Sequence, residues 1–219
     1  MIKACIFDLD GTVMDTLRSI AYFVNYTLEK LGAEPIDVDE FRYMAGSGRA
    51  VLLHKALAFR DCDTPELFEK ACEIYDRAYE GDFMHLTRPF DGIKEAVIKL
   101  HEKGIKTAVL SNKPDNVTHF IVEKVFGKSF FDAVCGQCDG MPIKPDPTGF
   151  LKLAGEFDVL PEECVMIGDT NIDIKTGSNA GAHTVGVLWG FRTRDELIVA
   201  GAEALAAAPG ELAEIIKIF

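Results

Sequence analysis

The spacing of apolar residues changes along the chain, and the changes predict its secondary structure. Residues 4–9 are almost all apolar, which is typical of a strand buried on both faces of a parallel sheet. From residue 17 to about residue 79, apolar residues recur at helical spacing with no strand-like run between them. Further strands are predicted at residues 105–110, 131–136, 163–167 and 182–187. Helices are predicted at residues 17–31, 39–44, 49–59, 65–79, 93–101, 116–126 and 209–219.

From residue 88 onward strands alternate with helices, which predicts an α/β fold with a doubly wound, Rossmann-like parallel sheet. The helical stretch interrupts this pattern after the first strand, so we expect a small inserted α-helical domain. The predicted core comprises residues 1–15 and 82–219, and the predicted insertion comprises residues 16–81. A chain of 219 residues is long enough to bury a substantial core.

Two acidic side chains follow the first predicted strand. Because side chains alternate along a strand, Asp8 and Asp10 should leave its end on the same side. Carboxylates about 4 Å apart repel by a few kcal/mol at an effective dielectric constant of roughly 20, so a fold keeps them together only with a cation or a shared proton. Oxygen ligands favour Mg2+. The alternative is that both residues are turn or capping residues, as acidic residues at strand ends often are.

Polar side chains also follow later predicted strands. Ser111 and Asn112 supply a hydroxyl and an amide, which suit a phosphate oxygen, although a serine there is also an ordinary helix cap. Prolines on both sides of Asp146 restrict the backbone and would hold the ammonium of Lys144 in place. The alternative is a surface lysine in a loop. Asp169 and Asp173 lie four residues apart and can face the end of the first strand. We expect all five at the edge where the strands end.

Composition narrows the class of partner. A formal net charge of -12 argues against a nucleic-acid or anionic-membrane partner, because such surfaces need clustered Lys and Arg. No run approaches the ~18 apolar residues of a membrane span, and the first ten residues lack a secretory leader, so a cytoplasmic location is expected. The six cysteines lie mostly in apolar surroundings, typical of reduced core thiols. Cys135 and Cys138 form a C-x-x-C without a second ligand pair, so a zinc or redox role is disfavoured.

Four short motifs together resemble those of the haloacid dehalogenase-like hydrolases, most of which are Mg2+-dependent phosphatases. The motifs are D-x-D-G-T-x-x-D at residues 8–15, Ser111 with Asn112, K-P-x-P at residues 144–147 and G-D-x-x-x-D at residues 168–173. The resemblance covers almost the whole chain and implies that the helical insertion is a cap domain. It further implies a small phosphorylated metabolite as the substrate and a monomer or homodimer as the assembly.

The resemblance also implies roles for individual residues. Asp8 would attack phosphorus, Asp10 would protonate the leaving oxygen and later activate water, and Lys144 would balance charge. Phosphate oxygens would be held by Thr12, Ser111 and Asn112. Mg2+ would be held by Asp8, Asp10 through its backbone carbonyl, Asp169 and Asp173.

Substrate choice is expected to lie in the insertion. In the stretch G-S-G-R at residues 46–49, two glycines let the backbone approach a ligand and Arg49 supplies a planar cation. The alternative is a flexible turn with a solvated arginine. The string W-G-F-R-x-R-D-E-L at residues 189–197 looks like the branch containing phosphoglycolate phosphatase and a related pyrophosphatase, although it carries no obvious chemistry.

Other activities on the same scaffold stay open at this point. A sugar phosphomutase of the β-phosphoglucomutase type, or an inorganic pyrophosphatase, would share every motif. A haloacid dehalogenase needs neither Asp10 nor a metal, and a phosphonate hydrolase needs a cap lysine and a small residue in place of Asp10. A signalling receiver domain is much shorter, and a non-catalytic binding protein would not need all four motifs intact.

Overall fold

The computed structural model describes residues 1–219, which form two compact units. The core unit comprises Met1–Asp15 and Pro89–Phe219, and the helical unit comprises Thr16–Arg88. The sequence predicts the return to the core after residue 81, whereas the division falls after residue 88. The additional residues form hydrogen-bonded turns, with the His85 N–H bonded to the Asp82 carbonyl and the Thr87 N–H to the Met84 carbonyl.

A six-stranded parallel sheet forms the centre of the core unit, which confirms the predicted α/β doubly wound fold. The strands of the chain are β1 Ala4–Phe7, β2 Met14–Asp15, β3 Arg88–Pro89, β4 Lys106–Pro114, β5 Ala133–Gln137, β6 Cys164–Gly168, β7 His183–Val187 and β8 Ala204–Ala206. The order in the sheet is β5-β4-β1-β6-β7-β8, so the direction of winding reverses between β1 and β6. Ligands of such sheets bind at this reversal, beyond the carboxyl ends of the strands.

The central strand is apolar because it has no face exposed to water. All four residues of β1 are fully buried, with β4 and β6 hydrogen-bonded on either side. Ala4 and Ile6 face a core cluster that includes Phe150 of the helix at residues 148–156. On the opposite face, the Phe7 ring meets the Phe131 ring edge to face, with 6.1 Å between centroids. Burial of both faces is what the continuous apolar run predicts.

The helices of the core unit are α5 Ile93–Glu102, α6 Asp115–Phe126, α7 Thr148–Glu156, α8 Asn171–Ala180, α9 Arg194–Val199 and α10 Leu212–Ile215. One continuous helix over residues 209–219 is a wrong prediction: α10 is a single turn flanked by two 3-10 turns. Only Pro209, Leu212, Ala213 and Ile216 of this segment are buried, and its β-branched isoleucines have low helix propensity.

The strands differ from the sequence prediction in two places: one strand is longer than predicted, and one was not predicted. The strand predicted at residues 105–110 continues to Pro114, because its register shifts after Leu110 and it pairs again with Gln137. Pro114 is tolerated because the ladder with β1 ends at Val109, so no hydrogen bond is demanded of its nitrogen from that side. The strand β8 is absent from the sequence prediction, since its alanines and leucine carry no β-branched signal.

The helical unit contains four helices, α1 Leu17–Lys30, α2 Phe41–Met44, α3 Gly48–Phe59 and α4 Pro65–Gly81. The helix α4 starts as predicted, because Thr64 accepts a hydrogen bond from the Leu67 N–H and Pro65 fills the first turn. Phe23 of α1 packs edge to face against Tyr75 and Tyr79 of α4. The segment predicted as a helix at residues 39–44 is a 3-10 turn, Val38–Glu40, followed by α2. No helix of the protein has the length and apolar content of a membrane span.

Candidate active site

Three buried carboxylates converge beyond the carboxyl ends of β1 and β6. Asp8 follows β1 directly, and its N–H bonds the Ile167 carbonyl of β6 at 2.9 Å. Asp169 follows β6, and Asp173 lies in the first turn of α8. One oxygen from each of the three lies within 4.8 Å of the others. The structure thus brings together three of the residues that the sequence offers as metal ligands, at the predicted reversal of the sheet.

Lys144 is the cation of this cluster. Its Nζ donates to Oδ1 of Asp8 at 2.6 Å and to Oδ1 of Asp173 at 2.7 Å, and the residue is only 4% exposed. Asn112 fixes the lysine backbone from β4: its Oδ1 accepts from the Lys144 N–H at 2.8 Å and its Nδ2 donates to the Lys144 carbonyl at 3.1 Å. The Asn112 amide therefore serves the lysine, in addition to any phosphate oxygen.

Asp169 is held from two directions. Thr12 is fully buried, and its hydroxyl donates to Oδ1 at 2.8 Å, while the Phe191 N–H donates to Oδ2 at 2.7 Å. Thr12 is in turn tied to the chain after β7, because the Trp189 indole N–H donates to its carbonyl at 3.0 Å. The Thr12 hydroxyl, expected on a phosphate oxygen, thus supports a carboxylate in this structure.

Glycines make room for the carboxylates. A Cβ on Gly11 would lie 2.3 Å from an Asp169 oxygen, and one on Gly190 would lie 2.2 Å from the Asp169 Cβ. A Cβ on Gly168 would lie 2.1 Å from the Asp173 Cβ. Such separations exclude any side chain, so all three positions require glycine for close approach.

Asp173 also caps the helix that carries it. Its Oδ2 accepts from the Thr170 N–H at 3.0 Å and from the Thr170 hydroxyl at 2.7 Å, which forms a capping box at the start of α8. Its other oxygen accepts from Lys144. Both oxygens are therefore engaged within the protein, and the carboxylate is fixed by a helix terminus.

The titration behaviour of the cluster follows from burial. Burial and the neighbouring Asp173 raise the pKa of Asp8 well above its usual range, against the lowering effect of Lys144. The same two causes raise the pKa of Asp169 to about 7, although hydrogen bonds from Phe191 and Thr12 lower it. Burial lowers the pKa of Lys144, but Asp173 and Asp8 outweigh this effect and raise it. One buried ammonium does not offset three carboxylates, so a further cation is favoured here.

Asp10 does not share the cation of Asp8. Its Oδ2 lies 3.1 Å from Nζ of Lys113, and its Oδ1 is buried with no hydrogen-bond partner. The Asp10 carboxylate is also outside the group of three metal-ligating carboxylates. Ser111 is buried on β4, where its Oγ accepts from the Lys113 N–H at 3.2 Å. The two aspartates of the first motif are thus paired with different lysines.

Arg49 lies within the helical unit, in the first turn of α3. Its guanidinium is hydrogen-bonded to Oδ2 of Asp76 on α4, which raises the pKa of the arginine, and both side chains are partly exposed. The C-x-x-C pair consists of a buried Cys135 and an exposed Cys138, and all six cysteines are free thiols.

Sequence reasoning missed the role of the string after β7. Beyond the bonds from Trp189 and Phe191, the Arg192 N–H donates to the Asp169 carbonyl at 3.3 Å. Asp169 itself is supported by the backbone N–H groups of Phe191 and Arg192 and by the missing Cβ of Gly190, none of which is a side-chain signal. Trp189 contributes a side chain, but its indole bonds to Thr12. The glycine at 190 was the only sequence feature that could have indicated a close approach.

Comparison with known proteins identifies a family and several relatives. The family model described as "Haloacid dehalogenase-like hydrolase" matches residues 5–187. A phosphoglycolate phosphatase of Aquifex aeolicus is 32% identical over 86% of this chain and 86% of its own length. That of Vibrio parahaemolyticus is 28% identical over 99% of this chain and 97% of its own. A solved structure from Lactobacillus delbrueckii subsp. bulgaricus, provisionally described as a phosphoglycolate phosphatase, is 31% identical, with a TM-score of 0.93 and coverage of 98% of both chains.

Proposed function

Because the chain belongs to the haloacid dehalogenase-like hydrolase family, we propose that it is a Mg2+-dependent phosphatase acting on a small phosphate monoester through an aspartyl-phosphate intermediate. Phosphatase chemistry follows from the family and its phosphoglycolate phosphatase relatives. The metal, the intermediate and the substrate are the proposed parts. Phosphoglycolate is the first candidate substrate, since relatives with that name match nearly the whole chain.

The observation that carries the proposal is the convergence of Asp8, Lys144 and Asp169 from three distant parts of the chain. A carboxylate that is held by a fixed ammonium at the carboxyl ends of the strands is suited to attack on phosphorus. Burial in a cluster of like charges would be costly for a merely structural aspartate. The geometry therefore supports a catalytic use of Asp8.

The donor set fits Mg2+. The candidate ligands are the carboxylates of Asp8, Asp169 and Asp173 and the backbone carbonyl of Asp10. All are oxygens, with no imidazole or thiolate among them, and hard oxygen ligands are what Mg2+ prefers. The partners of Asp8 and Asp169 leave lone pairs available, since each carboxylate oxygen accepts more than one bond. Bound there, Mg2+ would neutralise charge on the phosphate, so that an anionic carboxylate can approach phosphorus.

In the proposed reaction, residues of the chain take part in two steps, transfer of the phosphoryl group to Asp8 and its hydrolysis. Asp8 forms a bond to phosphorus while the leaving oxygen departs with a proton from Asp10. Water next attacks phosphorus and gives its proton to Asp10, which breaks the bond to Asp8 and releases inorganic phosphate. Lys144 stabilises Asp8 as an anion before attack and balances charge during transfer. We also propose phosphate contacts for Thr12, Ser111 and Asn112.

Phosphate release tests the proposal. A panel of phosphoglycolate, sugar phosphates and pyrophosphate is assayed with Mg2+ and with EDTA. Asp8→Asn is expected to lower kcat by at least about a thousandfold, as removal of a catalytic nucleophile does. Asp158→Asn is the matched control, because Asp158 is exposed in a left-handed turn that asparagine also adopts. Near-normal turnover by Asp8→Asn would refute the assigned nucleophile.

The same panel separates the related activities. A phosphomutase would convert a sugar phosphate to its isomer with little release of phosphate, and a pyrophosphatase would prefer pyrophosphate. Trapping of acid-stable label from phosphorus-labelled substrate, lost in Asp8→Asn, would support the covalent intermediate. No label on the wild-type chain during turnover would contradict it.

Arg49 is a proposed contact for the substrate carboxylate. Its guanidinium is already paired with Asp76, so binding a substrate would require sharing or exchanging this partner. Arg49→Ala is expected to raise KM for phosphoglycolate by about tenfold or more, since a charge-assisted pair is worth about 1.5–3 kcal/mol. Arg77→Ala, on the exposed side of α4, is the control. Unchanged selectivity across the panel would count against the contact.

A cytoplasmic location and a monomeric or homodimeric assembly also remain proposals. Six unpaired cysteines are consistent with a reducing compartment. A sedimentation measurement over a range of protein concentrations would test the assembly.

A further inference from the structure

We propose that Lys113 is a positioning residue, whose contact with Oδ2 fixes the orientation of the Asp10 carboxylate. This inference rests on the proposed function, in which Asp10 is the acid and base. It assigns the lysine a role separate from that of Lys144. The two lysines would then have separate partners: Lys144 contacts the proposed nucleophile, and Lys113 contacts the proposed proton donor.

The first support is the pair itself. Nζ of Lys113 lies 3.1 Å from Oδ2 of Asp10, and the side chains are only 10% and 17% exposed. Exposed ion pairs contribute little order, because water competes for both partners. A largely buried pair restricts both side chains to one geometry, and Asp10 therefore presents its oxygens in a defined orientation.

The second support is that the other carboxylate oxygen of Asp10 lacks a hydrogen-bond partner. Oδ1 of Asp10 is buried and has no hydrogen-bond partner, although buried acceptors are almost always satisfied. With no hydrogen bond to Oδ1, the contact between Oδ2 and Lys113 is what orients the carboxylate. Loss of this contact should therefore leave the Asp10 side chain free to rotate.

The third support is the rigidity of the lysine backbone. The Lys113 N–H donates to the Ser111 hydroxyl at 3.2 Å, and its carbonyl accepts from the Thr118 hydroxyl at 3.2 Å. A Cβ on Gly136 of β5 would lie 2.8 Å from the same carbonyl, so β5 packs directly on this backbone. A cation built on a fixed strand can set the position of a carboxylate on a neighbouring loop.

The leaving group distinguishes positioning of a proton donor from a general structural role. An alkyl phosphate needs a proton on its leaving oxygen, whereas nitrophenolate departs as a stable anion without one. Lys113→Met is therefore expected to lower kcat/KM for phosphoglycolate and glycerol phosphate at least about tenfold more than for p-nitrophenyl phosphate, because general acid catalysis is worth about 100-fold or more. The wild type and Lys152→Met, an exposed lysine of α7, are the references.

Two further variants keep the test decisive. Lys113→Arg retains the charge and donors, and it should keep the ratio between alkyl and nitrophenyl esters within about threefold of wild type. Lys113→Gln provides a second neutral variant should the methionine variant fail to fold, as judged by its thermal unfolding.

Each result has one interpretation. Equal losses for alkyl and nitrophenyl esters, or no loss in the neutral variants, would overturn the role of Lys113. A loss confined to phosphoglycolate would also overturn it, by indicating a contact with the substrate carboxylate instead. A wild type that hydrolyses none of the esters with Mg2+ would refute the proposed function itself, which is a separate outcome.

Discussion

Alanine at position 190 would press directly on a proposed metal ligand. The added Cβ would lie 2.2 Å from the Asp169 Cβ and 2.5 Å from its Cγ, whereas ordinary contacts begin at 3.4 Å. Either the loop that carries residue 190 or the side chain of Asp169 must therefore move by about 1 Å. The loop is tied to Asp169 by the Phe191 N–H and to Thr12 by the Trp189 indole, so the Asp169 carboxylate is expected to be displaced with its support.

A displacement of this size sets the expected loss. Misplacement of a catalytic group by about 1 Å costs about 100-fold in rate, so kcat/KM of Gly190→Ala should fall by that factor. The Mg2+ concentration for half-maximal activity should rise as well, because Asp169 is a proposed ligand. Overpacking of a buried site should lower the free energy of unfolding by about 1–3 kcal/mol.

The assay combines Mg2+ titration of phosphate release with urea unfolding in EDTA. Gly155→Ala is the matched control, since Gly155 is exposed in α7 with no atom within 4 Å of an added Cβ. Alanine there should stabilise the helix by about 0.5–1 kcal/mol without changing activity. If Gly190→Ala matched this control in kcat/KM and in Mg2+ dependence, the loop after β7 would not be fixing Asp169.

Three other expectations follow from the buried cluster. Lys144→Met leaves Asp8 and Asp173 without their cation, so urea unfolding of the metal-free variant should show a loss of about 3–5 kcal/mol; a loss below 1 kcal/mol would contradict the pairing. Thr12→Val removes the hydroxyl donor to Asp169, and calorimetric titration should show Mg2+ affinity about 10–100-fold weaker; unchanged affinity would exclude this support. Because the pKa of Asp169 is raised to about 7, the folded state holds a proton that the unfolded state has lost, so in EDTA the free energy of unfolding should fall as pH rises from about 4 to 7. Saturating Mg2+ should remove this decline by favouring the ionised form, and a stability independent of both pH and Mg2+ would argue against a metal at this site.

The sequence predicts the sheet and the buried cluster well wherever apolar or charged residues alone indicate the structure. Continuous apolar runs locate β1 and β6, and charged residues directly after them locate Asp8 and Asp169. Parallel strands bring such residues to one edge whatever their separation in sequence. The convergence of Asp169 on Asp8 therefore follows from the direction of the strands, whereas Lys144 lies well after the end of β5 and was expected there from the K-P-x-P motif.

The remainder depends on tertiary context that a single sequence does not encode locally. The alanine-rich β8 becomes a strand because β7 offers it a partner. The hydrogen bonds of Thr12 and Asn112 depend on which groups lie across the site, and the two side chains bond to Asp169 and Lys144. The pairing of Lys113 with Asp10 likewise arises from a strand that runs further than its apolar pattern suggests.

The ammonium of Lys144 would also set the charge that a metal ion in the proposed site has to balance. Asp8, Asp169 and Asp173, when ionised, carry three negative charges, and the lysine cancels one of them. The remainder equals the charge of one divalent ion, so a loaded site is neutral before the substrate arrives. A monovalent ion would leave a residual negative charge facing an incoming phosphate, whereas a trivalent ion would hold the product too firmly for rapid release. In the proposed site, preference for a divalent ion would thus depend on a side chain that need not contact the metal.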